Sequence, residues 1–365
     1  MATTPPLSDR TLNRTLLERQ LLLEHARTGV ADAVGHLLGI QSQTPASPYP
    51  GLWTRLPGFD FAELGELLTG RQLVRLVLMR STVHLVTAAD ALLLRHWLGP
   101  MLERTFRGSQ WAAGAAPAER KAVVGYACGL LREQPRTPAQ LRTAFADRFP
   151  EADPASLVNA LRSWVPLAQL PPRGVWGAGG QPVYGLLEDW LGAPLSAPDP
   201  QDLVRRYLAA FGPASPADMQ KWSGMTGLKA VFAGMDLLAY QAADGRTLYD
   251  LPGAHLADPD LPVAARFVAD FDNLVLSHAD RTRIVPEAFR TRVMTVNGIV
   301  RGSILVDGFV AGTWRFDRAK GAAAVAVTPF VPLPAADRDA LTRDGLRLLA
   351  AADPGVAHEV TFTEG

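Results

Sequence analysis

Two helix openings of one design constrain this chain more than any other feature. Thr137-Pro138-Ala139-Gln140-Leu141 and Ser215-Pro216-Ala217-Asp218-Met219 each set a hydroxyl side chain before Pro-Ala. The hydroxyl accepts from an otherwise orphaned N–H of the first turn, and proline at the first helical position has no N–H to lose. The surroundings repeat too. Helical spacing over 117–131, the helix from 137 and a third over 153–164 lead into extended stretches at 165–170 and 182–186, around the tip PPRGVWGAGG. The second copy runs through helices at 201–211, 215 onward and 226–235 to a hairpin, 237–241 with 247–251, across Asp244-Gly245. Three helices and a hairpin are the parts of a winged helix, and the repeated order predicts a tandem array.

The flanks are less regular. Leu12, Leu16, Leu17, Leu21 and Leu22 predict a helix to about Arg27, and Val30, Val34, Leu37 and Leu38 a shorter one that Gly39 stops. Ile40-Gln41-Ser42-Gln43-Thr44-Pro45 cannot continue it, because proline disfavours the helical state of the residue before it. Residues 61–68 and 71–78 read as helices and 82–87 as a strand. The last third reads as antiparallel strands at 303–306, 309–316 and 322–327, with hairpin turns at Asn297-Gly298 and Asp307-Gly308 and a closing helix at 335–351. Gly192 to Pro200 is the clearest linker.

A winged-helix array predicts DNA binding, and the 365 residues suffice for two or three units at ~150 residues each. Charge complicates this, since 36 basic and 36 acidic residues cancel and a nucleic-acid binder usually carries a basic excess. Basic groups must therefore gather on one face. Arg281, Arg283, Arg290, Arg292 and Arg301 flank the Asn297-Gly298 turn as the densest basic stretch and are the expected DNA-contacting face. Arg173 and Trp176, in the wing tip of the 117–186 copy, either touch a groove and stack on a base or pack locally. Cys128 is alone, so no internal disulfide forms. The first ten residues lack the apolar centre of a signal peptide, and no apolar run reaches the ~20 residues that span a bilayer, so a cytoplasmic location is expected.

Much chemistry is excluded. The seven histidines are scattered without metal-ligand spacing, and no P-loop, dinucleotide fingerprint or GxSxG elbow is present. Lysine occurs only at Lys121, Lys221, Lys229 and Lys320, in polar or amphipathic contexts. An enzyme built on this sequence would use water as its nucleophile, with no cofactor and no metal.

Several stretches carry a resemblance: Leu38-Gly39-Ile40-Gln41-Ser42-Gln43, Arg80-Ser81-Thr82-Val83-His84-Leu85, Phe211-Gly212-Pro213 with Trp222-Ser223-Gly224, Phe271-Asp272-Asn273, and Asp307-Gly308 with Gly312-Thr313-Trp314-Arg315. In this order, over about residues 10 to 350, the chain resembles the winged-helix alkyl-DNA glycosylases, the AlkZ/AlkX (YcaQ-like) family. The resemblance implies an α+β fold of three tandem winged helices around a C-shaped DNA channel, with a C-terminal antiparallel sheet or barrel-like part. The corresponding divisions are 1–110, 111–195, 196–255 and 256–365. It implies monofunctional excision of alkylated purines from double-stranded DNA, and crosslink unhooking in some members. The catalytic Gln-x-Gln motif of the AlkZ-like branch corresponds to Gln41-Ser42-Gln43, where Ser42 replaces a residue that is often aliphatic.

Two carboxamides are poor bases, but they can hold and orient a water, and positioning alone can supply several kcal/mol of a barrier. In an extended segment, residues i and i+2 face one side, which would aim Gln41 and Gln43 together. A purine alkylated at N7 is cationic and its glycosidic bond labile, so a held water could suffice. Arg80, Ser81 and His84 would form a site wall or phosphate contact, or else only fix the local turn; His84 is also a candidate general acid. Asp272 either brings charge to the site or caps a turn, and Trp314 is expected in the core. The competing reading is a non-enzymatic winged-helix regulator or lesion-binding shield; no dimerising helix or ligand domain favours it, and a monomer is expected.

Overall fold

The computed structural model describes residues 6–24 and 26–363. The chain divides into two compact units: Leu64–Asp199 with Ser223–Thr226, and Met1–Glu63 with Pro200–Trp222 and Gly227–Gly365. No helix among the described residues is long and apolar enough to cross a membrane.

In the unit of Leu64–Asp199, helices Arg120–Glu133, Pro138–Arg148 and Pro154–Trp164 bury Val123, Leu131, Leu141, Phe145, Leu157 and Leu161 in one core. The cap foreseen at Thr137 is a full capping box, with Gln140 Oε1 accepting the Thr137 N–H at 2.8 Å. Strand Val83–Thr87 pairs antiparallel with Leu73–Val77, which pairs with Leu167–Gln169, which pairs with Tyr184–Leu186. The helix expected at 71–78 is thus a strand. Gly70 follows the end of the preceding helix at Thr69, and all five residues of Leu73–Val77 are buried, which suits a run with β-branched Val74 and Val77 in mid-sheet. The tip after Leu167–Gln169 folds back on this sheet: Arg75 donates to the Arg173 carbonyl at 3.2 Å, and a Cβ on Gly174 (φ +101°) would lie 2.6 Å from Arg75 Cδ.

In the other unit, helix Pro200–Phe211 and helix Pro216–Ser223 bury Tyr207, Phe211 and Trp222 as an aromatic cluster with ring centroids 5.0–5.8 Å apart. At the second repeated opening, Ser215 Oγ accepts the Asp218 N–H while Asp218 Oδ2 accepts the Ser215 N–H at 2.8 Å. The helix expected at 226–235 shortens to Leu228–Ala233, and the hairpin forms as Leu238–Gln241 with Thr247–Asp250. The first helix, Asp9–Arg19, ends well before Arg27 because Leu21 turns the chain at φ +59°. Its Asn13 donates to the carbonyls of Arg283 and Gly308, at 2.7 and 2.8 Å, so it clamps the foreseen Asp307-Gly308 turn.

The C-terminal sheet has five strands in the order Arg266–Val268, Ser303–Val306, Phe309–Ala319, Ala322–Pro329 and Ala357–Phe362. Two of these depart from expectation. Arg266–Val268 was not foreseen, and Ala357–Phe362 pairs parallel to Ala322–Pro329, so the sheet is mixed and open at both edges rather than an antiparallel barrel. The parallel pairing follows from the connection: helix Ala335–Ala352 crosses over between the two strands and packs on the sheet, with Gly345 giving room to Val360. Around Asn297-Gly298 there is only a bridge between Met294 and Val300, beneath a tip on which Val296 is fully exposed.

Candidate active site

The Gln41-Ser42-Gln43 segment is positioned by a sharp turn. Helix Val30–His36 is followed by two left-handed residues, Leu38 (φ +54°) and Gly39 (φ +96°), which throw the chain into the strand Ile40–Gln41. Asn273 Nδ2 locks this turn by donating to the Gly39 carbonyl at 2.7 Å and the Leu37 carbonyl at 3.3 Å. A non-glycine residue in this conformation is strained, and Asn273 supplies what holds it. Gln41 and Ser42 are buried and Gln43 is exposed. The strand ends at Gln41 and Gln43 lies in a bend, so strand alternation alone does not set the direction of Gln43.

Beside Asn273, Asp272 does structural work. Its carboxylate accepts the Leu274 N–H at 2.9 Å as the cap of helix Asn273–Leu276, and it forms a two-pronged pair with Arg55 at 2.8 Å on each oxygen. Both side chains are 2% exposed. Two further Arg55 donors go to the Gln20 and Gly51 carbonyls, at 2.9 and 2.7 Å, so the ion pair also ties separate backbone segments together.

Thr44, next after the motif, lines a cleft of about 650 Å³ with Asp270, Phe271, Ile299, Arg301, Trp314 and Arg315, and an adjoining one of about 240 Å³ shares Thr44, Asp270, Trp314 and Arg315. The charged groups are exposed at its walls. Asp270 was missed in the sequence; its only signal was adjacency to Phe271-Asp272-Asn273. Partial burial raises its carboxyl above the ordinary aspartate value, opposed by the Gly302 N–H that it accepts at 2.5 Å. Trp314 is buried as expected.

The other foreseen residues distribute as follows. Arg301 reaches the cleft; Arg290 is exposed against Glu287, and Arg292 stacks on Phe330 at 4.0 Å. Arg281 is half-buried. Arg283 is 2% exposed and donates to the Pro213 carbonyl at 2.9 Å, so it supports the fold and presents no surface to a phosphate. Arg80, Ser81, His84, Arg173 and Trp176 belong to the unit of Leu64–Asp199. Arg80 and Ser81 both take left-handed backbone, φ +54° and +61°, in the turn joining two strands. Arg173 donates to the Gly180 carbonyl and Trp176 is half-buried, so the tip is partly engaged with itself.

His84 is fully buried, with Nδ1 donating to the Thr82 carbonyl at 3.0 Å. Burial, then the charge of Arg80, lowers its pKa to about 3, so it is neutral at pH 7 and holds no proton to deliver as an imidazolium. His278, in the other unit, is also lowered to about 3, by burial and then Arg283, against the opposing charge of Asp218. Unfolded, both would titrate near 6.5. Below that value the unfolded chain binds protons that the folded chain refuses. The stability contributed is complete above pH 6.5 and is lost as pH falls, at about 1.4 kcal/mol per pH unit for each histidine. The urea midpoint should therefore fall steadily from pH 7 to about pH 5, and less steeply in His84→Gln; a flat midpoint would contradict the buried neutral assignment.

Comparison with known proteins finds relatives over nearly the whole chain. The family described as DNA glycosylase AlkZ-like matches residues 34–351. An interstrand DNA cross-link repair glycosylase of Streptomyces sahachiroi is 25% identical over 359 residues, covering 89% of this chain and 92% of the relative. The solved structure of the Streptomyces sahachiroi DNA glycosylase AlkZ superposes with a TM-score of 0.82 at 20% identity, over 98% of this chain and all of that one.

Proposed function

This chain belongs to the AlkZ-like DNA glycosylase family, and from that premise we propose that it excises cationic N7-alkylated purines from double-stranded DNA through a water positioned by Gln41 and Gln43. The observation that carries the reading is the buried Gln41, set by the Asn273-locked turn, three residues before Thr44, which lines the cleft. In the reaction, water oxygen forms a bond to the sugar C1′ as the C1′–N9 bond breaks. The bonding pair leaves with the purine and neutralises its positive charge, and the proton of the attacking water passes to solvent. The product is an abasic site. Glutamine need not become a base; it accepts a water O–H and fixes the approach. None of the four lysines lines either cleft, which supports hydrolysis without a Schiff base and therefore without strand cleavage.

The reading extends to architecture and substrate range. Winged-helix motifs at 1–110, 111–195 and 196–255, with the β-rich part at 256–365, would line a C-shaped DNA channel. The two capped helix-and-hairpin repeats support this. Arg290, Arg292 and Arg301 are the basic groups for the backbone near the 294–300 tip, and Arg80 and Arg173 are further phosphate contacts. The Streptomyces sahachiroi relative supports unhooking of interstrand crosslinks as a second activity. The purified protein should release free 7-methylguanine from methylated duplex DNA and leave heat-labile, unbroken abasic sites. Failure to release base from both simple and crosslinked adducts would sink the glycosylase reading of these substrates and return the chain to a DNA-binding role.

A further inference from the structure

A carboxylate lines the cleft beside the glutamine motif, where a DNA-directed surface would ordinarily exclude negative charge. Asp270 makes one hydrogen bond, to the Gly302 N–H at 2.5 Å, and among the described residues no arginine, lysine or histidine pairs with it. The cations on the same walls are engaged elsewhere: Arg315 forms a two-pronged pair with Asp317 at 2.8 Å, and Arg301 donates to the Arg292 carbonyl at 3.2 Å. Asp270 is exposed on one side, so its charge is only partly desolvated; no ion pair offsets that, and its pKa is raised against the opposing Gly302 N–H.

The position is also built to be rigid. A Cβ on Gly302 would fall 2.8 Å from Trp314 Nε1 and 3.2 Å from Asp270 Oδ1, so glycine there lets the indole and the carboxylate both close on the same backbone. Trp314 is pinned by its own N–H to the Gly302 carbonyl at 2.9 Å and by Nε1 to the Val268 carbonyl at 2.8 Å. Phe267 and Phe316 box its ring at 5.2 and 5.1 Å. A fixed carboxylate with no ion-pair partner among the described residues, at a cleft shared with Thr44, has the chemistry of a cation-recognition site.

We propose that Asp270 is a specificity-determining residue: it supplies the counter-charge that selects the positively charged purine of an alkylated nucleotide over a neutral one. Among DNA components only such a lesion presents a fixed positive charge on the base, so this carboxylate repels ordinary DNA and favours the damaged base. Discrimination thus comes from electrostatics in the bound state, while Gln41 and Gln43 act on the bond. The inference rests on the cationic-substrate reading above.

The test compares binding of two duplexes: one with 2′-fluoro-stabilised 7-methylguanine, the other with its neutral isostere 7-deaza-7-methylguanine. Wild-type protein should prefer the cationic duplex by roughly tenfold, the size of a partly screened charge pair. Asp270→Asn keeps an oxygen for the Gly302 N–H and should lose that preference, with affinity for the neutral duplex unchanged or slightly raised; Asp270→Glu should retain part of it. Arg301→Ala should weaken both duplexes alike. Equal wild-type affinity for the two duplexes overturns the proposal without any variant having to fold, and so does an Asp270→Asn protein that keeps the full preference. Either result, in a protein that still releases 7-methylguanine, leaves the proposed activity standing; absence of release from wild type counts against that activity instead.

Discussion

Replacing Gln41 and Gln43 together with alanine is expected to slow base release by about two to three orders of magnitude, with affinity for undamaged duplex DNA unchanged. The two amides would share one water, so the single variants should each lose much of the total and their effects should not add. Gln41→Ala should be the more damaging, because the buried Gln41 is fixed by its surroundings while Gln43 is exposed and replaceable by solvent. The expected loss is bounded by the substrate. A cationic purine leaves without protonation, so removing the water's positioning slows the reaction but does not remove its driving force. Single-turnover release of 7-methylguanine with enzyme in excess measures this directly, free of product release. A double variant working at the wild-type rate would remove catalysis from this motif.

Local chemistry made part of this fold legible. The Thr137 and Ser215 openings both form reciprocal caps, and the Asp244-Gly245 and Asp307-Gly308 turns both form hairpins. Each depends on a few neighbouring residues whose side chains satisfy their own backbone. The failures depend on partners far away in sequence. Leu-Val-Arg-Leu-Val at 73–77 satisfies both helical and strand periods, and what decides is the strand Val83–Thr87 beside it. Arg266–Val268 is a three-residue edge with no turn signal, and the parallel strand Ala357–Phe362 needs the whole crossover helix to be known. The site divides in the same way. Gln41 and Gln43 are proposed from a motif, and the turn at Gly39 is legible from its glycine. Asn273 and Arg55 act across more than two hundred residues of sequence, and Asp270 bonds Gly302 thirty-two residues on, which no local pattern records. Charge counting erred at Arg283 for a related reason: a guanidinium in a basic run reads as surface, yet this one answers a buried carbonyl and the Asp218 charge.

Asp272→Ala should cost the folded state about 4 kcal/mol, because it strands the Arg55 guanidinium in the interior, and about 1 kcal/mol more through loss of a helix cap. The sequence leaves Asp272 either bringing charge to the site or capping a turn; the geometry argues for support. Its two oxygens are committed to Arg55 and the Leu274 N–H, both inside the protein. Asp272→Asn separates charge from shape. The amide oxygen can still accept one of these bonds while its NH2 confronts the guanidinium, so the loss should be smaller than for alanine but well above the ~0.5 kcal/mol of ordinary surface changes. Removing both charges, as Arg55→Met with Asp272→Leu, should recover only part of the loss. A buried ion pair can often be exchanged for apolar groups at little cost, but here Arg55 also serves the Gln20 and Gly51 carbonyls, which methionine leaves unpaired. Because Asn273 follows directly and locks the turn before Gln41, the alanine variant should also lose base-release rate below its melting transition, as that turn loosens. Urea denaturation of the three variants decides the first part: an Asp272→Ala midpoint matching wild type would mean the pair contributes nothing. A stable Asp272→Ala protein that has lost only activity would instead make Asp272 a participant in the chemistry.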